Sequence, residues 1–339
     1  MSYDKKIEVE IFQRDRRSDV DVRILREPPP DIHCPEEVVA LAKSLAPAFY
    51  IDVGNVCNQN CVYCSVERRQ LVRTRRQDAL ANGQAAMRHG FSTCVLIGGE
   101  PTIWPPLFSV LEQLNTAGLM GTVLTTNGLM LSYKPYVDNL EQHAVHTVAL
   151  SYDDWRSENQ RNLSRRADAG DLLEEALANL ARSPMQTYLY AVVTRHLKDQ
   201  GKPFAHWFAH AAQTFRRKPY LLFAGLKPLE RAHSHYGQLS LSLTDTAQVV
   251  KDAIKEAPNA SIAYRDIPLC LIPDHLGRSL DLYHQHASLD TATGETSPAA
   301  LATDREWAPQ CSSCKLRGYC PAIYQTYLEQ VGADEFSPF

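Results

Sequence analysis

The sequence predicts an α/β protein built on a parallel sheet, and three observations carry that prediction. From about Ala46, short apolar runs alternate with helix-like segments six times. The runs show few polar alternations, as strands covered on both faces do. Polar motifs follow the first four runs, at the strand end where function gathers in open doubly wound sheets and in barrels alike.

The elements follow in order. AFYIDVG (48–54) reads as a strand, and RQDALANGQAAMRHG (76–90) as a helix stopped by Gly90. STCVLIGG (92–99) is a strand, and PPLFSVLEQLNTAG (105–118) a helix closed by Gly118. GTVLTTNG (121–128) and YKPYVDNLEQH (133–143) form the third unit, HTVALSYD (146–153) and the amphipathic DLLEEALANLARS (171–183) the fourth. QTYLYAVVT (186–194) with PFAHWFAHAAQTF (203–215) is the fifth. KPYLLFAGL (218–226) with TDTAQVVKDAIKEA (244–257), opened by a Thr244 cap, is the sixth. SIAYRDIPLCLI (261–272) adds one strand-like run. Residues 284–310 are rich in Ala, Thr and Ser and read as a long loop. The expected organisation is an N-terminal extension over 1–45, with irregular Pro-rich REPPPDIHCP (26–35), a core over 46–258 and a C-terminal unit over 259–339.

Composition narrows the function classes. A net charge of −4 gives no reason to expect nucleic-acid binding. No apolar run approaches the ~20 residues of a membrane span. The start lacks the apolar core of a signal peptide, so the expectation is a soluble, cytoplasmic protein. In a reducing compartment the nine cysteines read as metal ligands or buried small groups. Cys57, Cys61 and Cys64 cluster early, and Cys311, Cys314 and Cys320 late. Cys34, Cys94 and Cys270 stand alone. Two triplets suggest two metal centres.

Three thiolates on one short loop can hold three corners of an iron–sulfur cube and leave the fourth iron open. The spacing Cys57-x3-Cys61-x2-Cys64 resembles the signature of the radical S-adenosylmethionine (SAM) enzymes. The resemblance continues through Tyr63, the segment Gly98, Gly99, Glu100 and Pro101, then Asn127 and Gly128, and then Ser151 and Asp153. It covers roughly residues 48–225. It implies a partial (β/α)6 barrel and a [4Fe–4S] cluster whose open iron binds SAM. It also implies that Tyr63 sits beside the adenine. Gly98, Gly99, Glu100 and Pro101 would meet the methionine end, and Asn127 would stand at the same rim. Ser151 and Asp153 would meet the carboxylate or ribose, with Arg195 or Thr194 as a weaker carboxylate partner.

Cys311-x2-Cys314-x5-Cys320 resembles part of the SPASM and twitch extensions, which hold auxiliary clusters. Tyr324 stands where a further SPASM cysteine would. With Cys270 as a fourth thiolate, one auxiliary [4Fe–4S] cluster is supported. A structural zinc site, or Cys270 as core packing, are the alternatives. Cys94 reads as core. Lys227 is a candidate to touch substrate, and Tyr264 and Asp266 are candidates to accept or donate a proton, as weak catalytic candidates. The His284–His286 pair reads as solvent-exposed. The run Arg68, Arg69, Arg73, Arg75, Arg76 reads as a solvated helix face, or as a surface for an anionic substrate or an acidic electron donor such as flavodoxin or ferredoxin. Peptide modification ranks first as the overall reaction, oxidation or rearrangement of a small polar metabolite second. A non-catalytic iron–sulfur or zinc scaffold is the reading from another class.

Overall fold

The structure is a computed structural model that describes residues 6–13, 45–282, 285–290, 293, 296–298 and 304–339. The Pro-rich stretch with Cys34, and His284, lie outside the described residues.

Seven parallel strands form the centre: β2 (Leu45–Asp52), β3 (Thr93–Ile97), β4 (Gly121–Thr126), β5 (Thr147–Ser151), β6 (Gln186–Val193), β7 (Tyr220–Gly225) and β8 (Ile262–Arg265). Each pairs with the next in sequence. That sequential order is a barrel's and not a doubly wound sheet's. The sheet stays open, since β8 lies at one edge. The run at 261–272, read as one more strand after the six units, supplies the seventh, β8, before turning irregular.

Helices make the crossovers: α1 (Arg76–Arg88), α2 (Leu107–Thr116), α3 (Lys134–Gln142), α4 (Ser157–Ser164), α5 (Ala169–Arg182) and α6 (Gly201–Ala211). Short α7 (Glu230–Ser234) and α8 (Tyr236–Leu239) precede α9 (Leu243–Glu256). The cap of α9 is Ser242, whose hydroxyl accepts the Asp245 N–H at 2.9 Å, and not Thr244. Thr244 instead donates to Glu335 at 2.6 Å.

The other sheet edge corrects two expectations. β1 (Lys6–Gln13) pairs antiparallel with β2, so part of the N-terminal extension is sheet. β9 (Gln285–Asp290) pairs with β1, and β10 (Thr296–Pro298) with β9. The long Ala/Thr/Ser-rich segment therefore carries strands. Its small β-tolerant residues gave no periodic signal, and its pairing partner is nearly the whole chain away. β11 (Arg305–Glu306) and β12 (Ile323–Tyr324) form a separate two-stranded ladder, and α10 (Gln325–Val331) follows.

Strand alternation divides the side chains. The helix-facing side packs Phe49, Leu96, Leu124, Leu189, Phe223 and Tyr264 into the main core. The opposite, inner face carries Ala48, Val95 and Val123 on one flank. Tyr188, Tyr220, Leu222 and Ala263 line the other. Cys94 is fully buried in the main core, as expected.

Candidate functional site

The loop after β2 carries Cys57, Cys61 and Cys64, all half-buried. Its backbone is fastened on several sides. The Gly99 N–H donates to the Gly54 carbonyl at 2.6 Å, and the Glu100 N–H to the Val56 carbonyl at 2.9 Å. A Cβ on Gly98 would lie 2.4 Å from the Gly54 carbonyl oxygen, and one on Gly99 2.4 Å from that of Val56. These glycines are required by the close approach of two loops, before any ligand is considered. The Asn60 and Val62 N–H groups donate to the carbonyls of Ser164 and Leu163 at the end of α4.

Glu100 is 1% exposed and turned inward. One carboxylate oxygen accepts the Thr102 N–H and the Thr102 and Thr126 hydroxyls, and the other accepts the Asn127 N–H at 2.7 Å. Burial raises its pKa against those bonds. Glu100 therefore braces the turn after β3 to the turn after β4. With its side chain so engaged, backbone carbonyls are the acceptors this segment offers a ligand. Pro101 follows it, buried, as the first residue of a short 3-10 turn.

Asn127 extends the brace to the thiols. Its amide nitrogen lies 2.7 Å from Asn58 Oδ1 and 3.6 Å from Cys57 Sγ. The Gln59 N–H also points at that sulfur, at 3.4 Å. Donors on a sulfur favour the thiolate, the form that binds metal. Burial nonetheless pushes the Cys57 thiol upward and, with Asp153, moves Cys61 to about 12. Metal binding must therefore release protons.

Tyr63 donates its hydroxyl to Asp153, whose other oxygen accepts the Val192 N–H at 3.0 Å. Burial lifts Asp153 to about 6. This pair ties the cysteine loop to β5 and β6. Ser151 ends β5, level with Tyr190 of β6. Arg195 is exposed, and its guanidinium donates to the carbonyls of Gly237 and Ser240 beside α8.

Sequence reasoning missed several supports. Arg68 donates to the carbonyls of Gln59 at 2.7 Å and Cys57 at 3.2 Å. Arg231, from α7, donates to the Cys61 carbonyl at 2.9 Å, and Arg166 to that of Asn58 at 3.2 Å. His196 contacts Asp153 and Asp154. Arg231 and Cys61 are 170 positions apart, and no local pattern links them.

The second cysteine group converges as well. Cys270, Cys311, Cys314 and Cys320 line one cavity with Leu269, Leu316 and Phe336. Cys270 is half-exposed, on the short turn after β8. Burial raises Cys270 and lifts Cys320 to about 12. Among the described residues no three His, Cys, Asp or Glu side chains converge on a single-ion site.

A charged cluster stands at the end of β8. Asp266, 7% exposed, is approached by Lys227 Nζ and Arg265 Nε at 3.4 Å each and is hydrogen-bonded by Arg305. Burial opposes its charge, but Lys227, Arg305 and Arg265 outweigh that and hold the carboxyl well below the ordinary range. Asp266 is therefore ionised and a poor proton donor. Burial and the Asp266 charge lift Asp281 to about 6. Arg305 also stacks over Tyr324 and donates to its hydroxyl at 2.6 Å, which gives the residue at the vacant SPASM position a packing role. Tyr264 does not join this cluster. It shares its strand face with Ile262 in the helix-side core, because Arg265 takes the inner side.

The Radical SAM superfamily profile matches residues 51–234, more than half the chain. The GTP 3',8-cyclase of Alkaliphilus metalliredigens (strain QYMF) is 26% identical over 166 residues, 46% of this chain and 50% of that protein. The S-adenosylmethionine-dependent nucleotide dehydratase of Flammeovirga pacifica is 25% identical over 129 residues, 36% of this chain and 43% of that protein. The chain thus spans half or less of the length of these relatives. SuiB of Streptococcus suis, solved with its precursor peptide SuiA, superposes with a TM-score of 0.52 at 18% identity, over 66% of this chain and 50% of that one. That likeness is one of fold.

Proposed function

This chain belongs to the radical SAM superfamily, and within it we propose an enzyme that removes a hydrogen atom from a small polar substrate. The family works with a [4Fe–4S] cluster and SAM. The residues present fit both: three thiols share one braced loop, with an N–H and an amide donor on Cys57 Sγ. That three-thiol loop, locked to the turns after β3 and β4, is the observation that carries the enzyme reading. When bound, cluster and SAM supply a 5′-deoxyadenosyl radical. Cys57, Cys61 and Cys64 would hold three irons and leave the fourth to SAM. The backbone around Gly99 and Glu100 would accept from the SAM amino group. Tyr63, Asp153 and Ser151 would line the rest of the SAM site.

Two points favour a small polar substrate. Lys227 keeps 36% of its side chain exposed beside Asp266, Arg265 and Arg305, which suits a charged group. The curated relatives above are named for nucleotide reactions. Peptide modification is the second reading, favoured by the fold shared with SuiB. For Cys270, Cys311, Cys314 and Cys320 we propose an auxiliary [4Fe–4S] cluster. An apolar, cysteine-lined cavity suits electron transfer or structure.

The test is anaerobic reconstitution with SAM and dithionite, with 5′-deoxyadenosine measured by mass spectrometry. No product under any reducing condition would sink the enzyme reading. Deuterium transfer into 5′-deoxyadenosine from a labelled nucleotide panel, against a peptide panel, decides the substrate class.

A further inference from the structure

The arginine run read as a helix face is not one. Helix α1 begins only at Arg76. Residues 67–75 form a nonhelical segment laid against the cysteine loop. Asn55 organises it: its amide donates to the carbonyls of Glu67 and Gln70 at 2.8 Å each, and its Oδ1 accepts the Val72 N–H at 2.7 Å. The Thr74 N–H donates to the Val53 carbonyl at 3.1 Å. Arg68 reaches from the segment to the carbonyls of Cys57 and Gln59. The segment and the thiol-bearing loop are therefore one hydrogen-bonded unit.

Its solvent-exposed side chains combine two properties. Leu71 and Val72 are 62% and 52% exposed, two of the exposed large apolar side chains among the described residues. Around them stand Arg69, Arg73, Arg75 and Arg76, all exposed. Over residues 67–78 five arginines face Glu67 and Asp78, a local charge of +3 on a chain of −4. Arg75 is paired with Asp78 at 2.7 Å, and Arg69 stands 3.8 Å from Glu67. Exposed apolar side chains set among arginines, with a net charge of +3 once Glu67 and Asp78 are counted, suit recognition of an acidic partner.

We propose that segment 67–76 is the docking surface for a small acidic one-electron carrier protein. The inference rests on the enzyme reading, in which each SAM cleavage consumes one electron that must come from another molecule. The reduced carrier, a flavin hydroquinone or a reduced iron–sulfur protein, would lose one electron to the cluster that Cys57, Cys61 and Cys64 would hold. No bond forms and no proton moves. The charge selects an acidic carrier, and Leu71 and Val72 give the contact a desolvated centre. Attachment through Asn55 and Arg68 places the carrier against the cysteine loop.

The test compares the wild type with Arg69→Glu/Arg73→Glu and with Leu71→Ser/Val72→Ser, which change exposed side chains and keep the bonds of the Val72 backbone to Asn55. Binding of dye-labelled acidic flavodoxin and of an acidic ferredoxin is read by fluorescence anisotropy at low and at high salt. The expected result is salt-sensitive wild-type binding of at least one carrier, weakened about tenfold or more by the charge reversal. The serine variant weakens binding but keeps the salt dependence. Dithionite-driven formation of 5′-deoxyadenosine stays at the wild-type level in both variants. Wild-type binding to neither carrier overturns the proposal, as does unchanged affinity in both variants. A wild-type dimer by light scattering that the variants dissolve assigns the patch to a second copy and also overturns it. If dithionite gives no 5′-deoxyadenosine in any protein, the enzyme reading fails, and the binding comparison still decides whether the patch takes a carrier.

Discussion

The two cysteine groups are built differently. Cys57, Cys61 and Cys64 sit within eight positions on one loop, held by polar contacts from the turns after β3 and β4 and from α4 and α7. Cys270 and the 311–320 triplet come from two segments and meet around an otherwise apolar cavity. The first group is incomplete as a cube's ligand set and surrounded by hydrogen-bonding groups. The second offers four thiols and little else. A site that binds a polar cosubstrate needs an open position and polar neighbours. A site that stores or passes an electron needs full ligation and a dry surround.

The largest effect should come from Cys57→Ala. It is expected to abolish 5′-deoxyadenosine formation and to remove about four of about eight irons per reconstituted chain. Activity that survived would erase the distinction between the groups. Cys311→Ala is expected to lower the iron content by a similar amount while dithionite-driven SAM cleavage persists. Cys270→Ala then asks whether that centre is closed: unchanged iron and an unchanged electron paramagnetic resonance spectrum would return Cys270 to packing. Zinc in place of four of the irons would remove the auxiliary cluster.

Asp266 joins the barrel to the segment that leads into the second group. Asp266→Asn leaves Lys227, Arg265 and Arg305 without their shared anion and should destabilise the fold by on the order of 3 kcal/mol at neutral pH. The carboxyl is depressed in the folded state, so its contribution is fully present above the unfolded value of about 4 and is lost progressively as pH falls from there toward the lower folded value. The gap between wild type and variant in chemical denaturation should therefore narrow steadily as pH drops below about 4. A gap of constant size over that fall would show that the variant acts through packing. The smallest effect is expected for Glu100→Gln, which puts an amide among four donors and should cost about 2 kcal/mol. It should also weaken SAM binding by calorimetry, because the turns after β3 and β4 lose their brace.

Much of the three-cysteine loop was legible because its information is local. Three cysteines at fixed spacing, a Gly-Gly-Glu-Pro turn and an Asn-Gly turn each occupy one short stretch. The strand–helix rhythm was legible for the same reason. The roles inside those motifs were less so. Glu100 reads as a ligand for an amino group and is a buried brace, since four donors from two turns reach it only in the fold. Tyr264 reads as a candidate for chemistry and packs under helices, because one residue of register decides its face. The arginine run passes for a helix face because arginine is a good helix former. Its nonhelical path is set by Asn55, twelve to seventeen positions away.

By itself the sequence determined the superfamily, the parallel α/β architecture and the grouping of three thiols on one loop, because spacing and periodicity are properties of neighbours along the chain. Only the tertiary structure decided that β1, β9 and β10 extend the sheet and that Cys270 joins the C-terminal triplet. It alone showed Asp266 gathering Lys227 from the loop after β7 and Arg305 from β11, and Arg231 holding the Cys61 carbonyl. Those contacts join residues tens to hundreds of positions apart, whose meeting depends on the packing of the whole sheet.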